Sequence, residues 1–310
     1  MMSLRGMLLL GLLVAAAGPA EARTLEVGKG KEFSGVAAAA SAAQDGDRIL
    51  IDDGSYFDCA VLHQNNLTIE GTSEAGTVLT DKACQGKALL VIGGSNVTVR
   101  NLTLTRARVP DGNGAGIRAE GRDLLIQHVR FVNDQDGLLA APQPDGSIII
   151  QDSAFVRNGT CEYSGGCAHG IYVNALKLLR IERTVFRESK QGHQIKSRAA
   201  RTEVIGCTIT DGPTGTSSYQ IDIPNGGSLI ARGDDMEKGP KSENHTAFIM
   251  IGEEGVTQPT PEIVVEDNTA RNDGNFGTLL VANQTATEAV LRHNKLIGAI
   301  RPLRGDGASD

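Results

Sequence analysis

Short runs of alternating apolar and polar residues recur down the chain, and most begin on a turn-forming residue. The clearest are Asn66-Leu67-Thr68-Ile69 and Asn96-Val97-Thr98-Val99. Weaker copies follow at Asp123-Leu124-Leu125-Ile126, Ser147-Ile148-Ile149-Ile150, Ala175-Leu176-Lys177-Leu178 and Thr202-Glu203-Val204-Ile205. The series ends with Gly227-Ser228-Leu229-Ile230, Glu262-Ile263-Val264-Val265 and Glu288-Ala289-Val290-Leu291. The steps cluster at roughly 24 to 30 residues, a period that marks a solenoid. Alternation with period two predicts a strand in each copy. Asn, Asp or Gly at the start supplies the corner. One such strand per repeat predicts an all-β, single-domain, right-handed parallel β-helix. Its long ridged face suits a long polymer.

The flanks carry other signals. Thr24–Val27 reads as a first strand, and the Ala-rich segment Phe33–Gln44 as a helix. Asp45-Gly46-Asp47 then turns into the strand Arg48–Ile51. A helix in this position would cover the open end of the solenoid, whose core and strand edges otherwise face water. Two polar, Gly-containing stretches, Arg157–Ala168 and Arg232–Asn244, read as loops, and loops on one rim wall a groove. The tail, Arg301–Asp310, reads as frayed. At the other end, Arg5, the apolar run Met7–Ala17 and Ala20-Glu21-Ala22 have the layout of a secretory signal cleaved after Ala22. The run is too short to span a bilayer, and no later segment is apolar enough to do so. The expectation is a signal at 1–22, a β-helix at 23–310, and a periplasmic or secreted monomer.

Composition narrows the partners. Aromatic residues make up 4% of the chain and Trp is absent, which fits a narrow core of Val, Ile, Leu and Ala. A net charge of −7 argues against nucleic acid, because neutralising phosphates takes a basic surface. The five cysteines of an exported chain suggest disulfides. Cys59 and Cys84 lie about one coil apart, and Cys161 and Cys167 bracket the first loop; Cys207 is left over for the core. The Asn-x-Thr triplets follow from the repeat itself, with Asn at the corner and Thr facing out.

A second strand per turn carries the candidate chemistry. Ile117, Leu138, Ile171, Ile195, Ile221 and Ile249 align as one inward stack. The residues that follow point outward, so Tyr172, Lys196 and Asp222 form a column at about 4.8 Å per step. Two positions before the stack, Asp136, His169, His193 and Tyr219 form a second column, with His193 and Tyr219 expected to be exposed. Arg198 shares the outward face of Lys196. Lys196 and Arg198 are expected to pair with a substrate carboxylate, and His193 or Tyr219 to act as acid or base. His169, Tyr172, Gln194, Asp222 and Asp136 complete the candidate substrate-binding set. Asp222 beside Lys196 would hold the amine protonated, which makes Lys196 a binder rather than a base. Asp134 and Asp136 read either as carboxylates with a catalytic role or as turn residues.

The strand-helix-strand opening and the coils resemble the pectate-lyase-like β-helix superfamily. Asp136-Gly137, His169-Gly170-Ile171 and Ile195-Lys196-Ser197 resemble, in order, three motifs of polygalacturonases. The adjacent Asp-Asp pair of that family is missing, since Ser147–Asp152 offers only Asp152; inverting hydrolysis needs two spaced carboxylates. Tyr219-x-x-Asp222 is similar to part of mannuronan epimerase sites, although Pro224 stands where their His would be. Lys196 and Arg198 resemble the Lys and Arg of uronate lyases. These resemblances imply an acidic, uronate-containing polysaccharide as partner, with lyase or epimerase chemistry. Glycoside hydrolysis and a non-catalytic glycan-binding solenoid are the alternatives. They also imply calcium as a candidate cofactor, with Asp134, Asp136, Asp222, Glu253 and Glu254 as the available oxygen ligands. A groove walled by the two loops would favour an enzyme; a flat, open ladder would favour binding or structure.

Overall fold

The computed structural model describes residues 22–163 and 165–310. The expected signal therefore lies outside the described residues, apart from Ala22. Successive turns add strands to two parallel sheets, one of ten strands and one of twenty. In most turns the larger sheet receives two strands separated by a bend. Neighbouring turns pair in register, as in Leu124↔Val97, Ile181↔Val204 and Leu229↔Ile263. The chain is a single parallel β-helix.

The bend explains why the sequence repeat looks degraded. Asn101, His128, Asp152, Arg183, Gly206, Gly233, Asp267 and His293 follow one another at one corner, all with φ between 48° and 67°. This left-handed conformation disfavours residues with a Cβ by roughly 1–2 kcal/mol, and Gly, Asn and Asp bear it best. Arg183 adopts it as well, because the hydrogen bonds on either side impose the conformation on whatever residue falls there. All nine repeat copies overlap strands of the larger sheet. Three are out of register: Ser147 pairs with Leu178, not Ala175, across an irregularity between Gln143 and Ser147, and Leu229, not Ser228 as the repeat has it, aligns with Ile263, while Thr202 rather than Glu203 aligns with Leu229. The inward residues of the turn that carries Leu178 are thus Leu179 and Ile181, both fully buried.

The helix is shorter than the composition suggests, spanning Val36–Ala42. Gly35 is extended, and the Asp58 carboxylate accepts the Ala37 N–H at 2.9 Å, which starts the helix there. Phe33 forms a bridge to Val27 instead of joining it. Val36, Ala39 and Ala40 are buried over the first turn, so the helix does close that end. The second predicted loop is also shorter. Asp235–Lys238 is a strand of the larger sheet, with Met236 inward, so only the residues after it leave the coil. The charged residues around Met236 masked its alternation. The cysteines pair as expected, with Cα separations of 5.5 Å for Cys59–Cys84 and 4.2 Å for Cys161–Cys167. Cys207 is free and buried.

The core is a set of ladders one side chain wide. Phe131, Phe155 and Phe186 stack face to face, with centroids 4.4 and 4.9 Å apart. The middle ring loses neighbours on both sides when truncated. Phe155→Ala should therefore destabilise the protein by about 3–5 kcal/mol. A urea titration followed by circular dichroism checks this; a loss under about 1 kcal/mol would mean that the coils close over the gap.

Candidate functional site

The candidate residues lie on the outer face of the ten-stranded sheet. Strand register pairs Tyr172 with Lys196 and Lys196 with Asp222, as the shared aliphatic stack predicts. Arg198 follows the strand Ile195–Ser197, and its guanidinium Nε donates to the Tyr172 hydroxyl at 3.1 Å. A cleft of about 330 Å³ opens over Tyr172, Lys196 and Arg198, whereas Asp222, 2% exposed, lies behind Lys196 and does not line it. Gly165, Gly166 and Cys167 of the disulfide-stapled loop form part of its wall, and Glu254 another part. The second wall is thus the segment after Ile251, not the Arg232–Asn244 stretch expected from the sequence.

One carboxylate already occupies the cationic pair. Lys196 Nζ lies 2.6 Å from Glu254 Oε1, and Arg198 Nη2 lies 2.5 Å from Glu254 Oε2. Arg198 also donates to the Asn225 side-chain oxygen. Partial burial would raise the Glu254 carboxyl, but Lys196 and Arg198 outweigh it and hold it below the usual range. Glu254 sits in Gly252-Glu253-Glu254-Gly255, where both glycines have positive φ, 85° and 94°. The Glu254 N–H donates to the Pro224 carbonyl at 3.0 Å, which fixes the turn over the cleft. From the sequence, Glu254 is expected only as a calcium ligand. A Gly-Glu-Glu-Gly turn beside a column of cations was the signal available.

Beneath this ion pair the second column is packed and largely buried, not exposed. The rings of His169, His193 and Tyr219 stack at 4.8 and 5.1 Å, the spacing of the coils themselves. His169 is 4% exposed and Tyr219 2%. His193 Nδ1 accepts the Tyr219 N–H at 3.2 Å, and His169 Nδ1 accepts the His193 N–H at 2.9 Å. Each ring therefore carries its proton on Nε2 and has no free basic nitrogen. Burial, with Lys196 nearby, depresses His193 to about 3, and burial takes His169 well below its ordinary value. Both are neutral donors at pH 7. Burial raises the Tyr219 hydroxyl, which donates to Glu253 Oε1 at 3.0 Å. His193 and Tyr219 are thus poorly suited to be the base that the sequence suggested.

Asp222 is better placed for that role. Its Oδ2 lies 3.5 Å from both Lys196 Nζ and His193 Nε2, and its Oδ1 has no partner among the described residues. Burial raises it to about 7, against the pull of Lys196. At neutral pH it shifts between acid and carboxylate, as proton transfer needs.

Two of the other candidates do not reach the cleft. Gln194 is fully buried and points to the opposite side of its strand, where it accepts from Ser189 Oγ at 2.6 Å and approaches Asp211 at 3.4 Å. It neighbours an inward residue, and the start of the strand turns its amide into the corner network. Asp136 is also fully buried, and its Oδ1 accepts the His169 N–H at 2.7 Å. Asp134 does the same for the Ala107 N–H at 2.7 Å. Asp134 lies in the corner and Asp136 begins the strand Asp136–Ala140, and both serve backbone N–H groups, so the hydrolytic alternative loses the carboxylates it relied on. The calcium ligand set does not converge either. Among the described residues no group of three or more His, Cys, Asp or Glu side chains is arranged to hold a metal ion. Asp134 and Asp136 serve backbone N–H groups, and Glu254 serves two cations.

With this geometry in view, the comparisons with known proteins fall into place. Residues 147–301 match the family model for the right handed beta helix region. The chain belongs to that family. No curated protein matches it in sequence. Among solved structures it is similar to an alginate lyase from Paenibacillus sp. str. FPU-7, with 16% identity and a TM-score of 0.60 over 92% of this chain and 99% of that one. It is also similar to the pectate lyase Pel9A, with 12% identity and a TM-score of 0.67 over 94% of this chain and 80% of that one. A third likeness is to ORF18 of Geobacillus virus E2, with 13% identity and a TM-score of 0.57 over 93% and 61%. At these identities the likeness is one of fold.

The burial of Asp136 generates a pH test. Its carboxyl titrates near 3.8 in an unfolded chain and at about 7 in the fold. The folded state holds the proton more tightly, so this group's contribution is fully present below pH 4 and is lost as pH rises to about 7. Asp136→Asn removes that loss. The stability of the variant relative to the native protein should grow between pH 4 and pH 8 by up to about 4 kcal/mol. Urea titrations at the two pH values measure it, and a pH-independent difference would show that the carboxyl is solvated.

Proposed function

We propose that this protein is an exported enzyme that binds an acidic, uronate-containing polysaccharide and moves the proton next to the sugar carboxylate. The observation that carries this reading is the grip of Lys196 and Arg198 on Glu254. Two cations aimed at one carboxylate form a carboxylate receptor, and charge-assisted pairs of this kind are the strong ones. In the reading, the sugar carboxylate replaces Glu254. Neutralising it acidifies the hydrogen on the adjacent carbon, and the Lys196 ammonium places that carbon near Asp222. The Asp222 carboxylate takes the proton. In elimination, the carbon–oxygen bond to the next sugar then breaks, and the departing oxygen is protonated from Asp222 or solvent. In epimerisation, Asp222 keeps the abstracted proton until it exchanges with solvent, and a proton from solvent is delivered to the opposite face of the same carbon. The Nε2–H of neutral His193 is a fixed donor toward the charge that develops. Tyr172 holds Arg198 in place through its hydroxyl, and His169 positions His193.

The folds of an alginate lyase and a pectate lyase support the substrate class as analogy. The two disulfides fit an oxidising compartment outside the cytoplasm. No helix among the described residues is long and apolar enough to cross a membrane.

Incubation of the purified protein with polygalacturonate, alginate and chondroitin tests the reading. New unsaturated ends absorb in the ultraviolet and report elimination, whereas solvent deuterium entering the intact polymer reports epimerisation. Lys196→Ala should abolish turnover with little change in the thermal midpoint. Glu254→Gln removes the competing charge and should lower KM roughly tenfold, equivalent to about 1.4 kcal/mol, with kcat nearly unchanged. Absence of both products from every polymer would sink the proposal, and so would full turnover by Lys196→Ala.

A further inference from the structure

A second cleft, of about 490 Å³, lies on the other side of the stapled loop. Glu162 and Tyr163 face it, whereas Gly165, Gly166 and Cys167 face the groove already described. Two cations meet in it. Lys190 Nζ donates to Asn133 Oδ1 at 2.6 Å, and Arg108 Nη2 donates to the same atom at 3.1 Å. Neighbouring arginines are neutralised: Arg106 by Asp81 and Arg157 by Glu188. Among the described residues neither Lys190 nor Arg108 has a carboxylate within ion-pair distance. Two positive charges therefore share one neutral oxygen, with Asp134, Glu162 and Glu243 lining the same cleft outside ion-pair distance, an arrangement that an anion placed directly between the cations would relieve.

The surroundings are held in place. Asn133 is fixed at a left-handed corner with φ 59°. The Lys190 N–H donates to the Asn158 carbonyl at 2.8 Å, and the Lys190 carbonyl accepts the Thr216 hydroxyl. The Cys161 N–H donates to Gln191 Oε1 at 2.7 Å, which ties the stapled loop to the coil. The Tyr163 ring lies against Gly112, where a Cβ would come within 2.3 Å of it. Burial and the nearby Arg108 draw the Lys190 ammonium below its ordinary value, as expected where cations crowd.

We propose that this cleft is a second saccharide site, which takes the carboxylate of one acidic sugar unit between Arg108 and Lys190. Tyr163 offers an aromatic face to the sugar ring, as apolar sugar faces prefer. The rim carboxylates Glu162 and Glu243 accept sugar hydroxyls and repel more highly charged anions. A polymer leaving the groove would be held at a point away from the reacting bond, and two linked sites raise avidity beyond either alone. The choice of a uronate as ligand rests on the proposed function; the cationic cleft does not.

Calorimetric titration of the protein with trigalacturonate and trimannuronate tests the assignment. The expected result is two sites in the native protein and one in Lys196→Ala. Adding Arg108→Gln and Lys190→Met to Lys196→Ala should weaken that remaining site at least about tenfold. These replacements keep the side-chain stems, and an unchanged thermal midpoint confirms folding. If the double variant Arg108→Gln/Lys190→Met binds with native stoichiometry and affinity, the second site falls and the groove stands. If that double variant abolishes all binding while Lys196→Ala changes nothing, the second site stands and the groove reading falls. If no form of the protein binds either trisaccharide, both are overturned.

Discussion

The parallel pairing of one coil on the next is the constraint on which the rest of this structure depends. Strands hydrogen-bonded in register place equivalent residues directly above one another, about 4.8 Å apart. Every side chain must then tolerate its own kind of neighbour. Inside, that selects Ile on Ile and Phe on Phe, as in Phe131, Phe155 and Phe186. Outside, it forces polar groups into ladders whether or not they do chemistry. The ring stack of His169, His193 and Tyr219 has this origin, since its 4.8 and 5.1 Å steps are the coil spacing. Like charges in such a column repel, and the Tyr172, Lys196, Asp222 column avoids this by alternating its chemistry.

The same stacking sets the protonation states. A ring sandwiched between two others loses water, and a backbone N–H from the next coil falls where Nδ1 can accept it. Both effects favour neutral imidazole, and both act in the same sense on His169 and His193. The Asp222 carboxyl experiences the same loss of water with the opposite result, because burial favours its protonated form. Burial thus pushes the histidines down and the carboxyl up, which separates donors in one column from the acceptor in the column beside it. Lys196 lies between Asp222 and Glu254 and links this buried pair of functions to the open cleft.

Most of the architecture was legible because repetition is a signal that survives substitution. The strands, their period, the capping helix and both disulfide pairs could be read from spacing and alternation. The column of Tyr172, Lys196 and Asp222 followed from one aliphatic register. Other features were not legible: the tail, for one, does not fray but pairs as the strands Ile300–Arg304 and Gly307–Ser309. The slip at Leu176–Leu178 arose from an irregularity that leaves no mark on alternation. The burial of Asp136, Gln194 and Tyr219 depends on how the chain turns into each strand, and period two says nothing about residues before the strand begins. The role of Glu254 depends on a turn that folds back over sequence about 56 to 58 residues earlier, beyond the reach of any local pattern.

That turn bears on how selective the groove can be. Glu254 presents both carboxylate oxygens to Lys196 and Arg198, and Glu253 adds a third acidic group beside Tyr219. With Asp222 ionised, carboxylates outnumber the two cations. Under the proposed function a ligand would not enter a strongly positive site; it would exchange one carboxylate for another. Most of the Coulombic gain cancels in that exchange. What remains to distinguish a sugar carboxylate from Glu254 is shape: the fit of the ring against Tyr172 and of its hydroxyls along the stapled loop. Simple anions offer neither and gain little by displacing Glu254. In this arrangement charge selects the class of group admitted, and the walls of the cleft select the molecule that carries it.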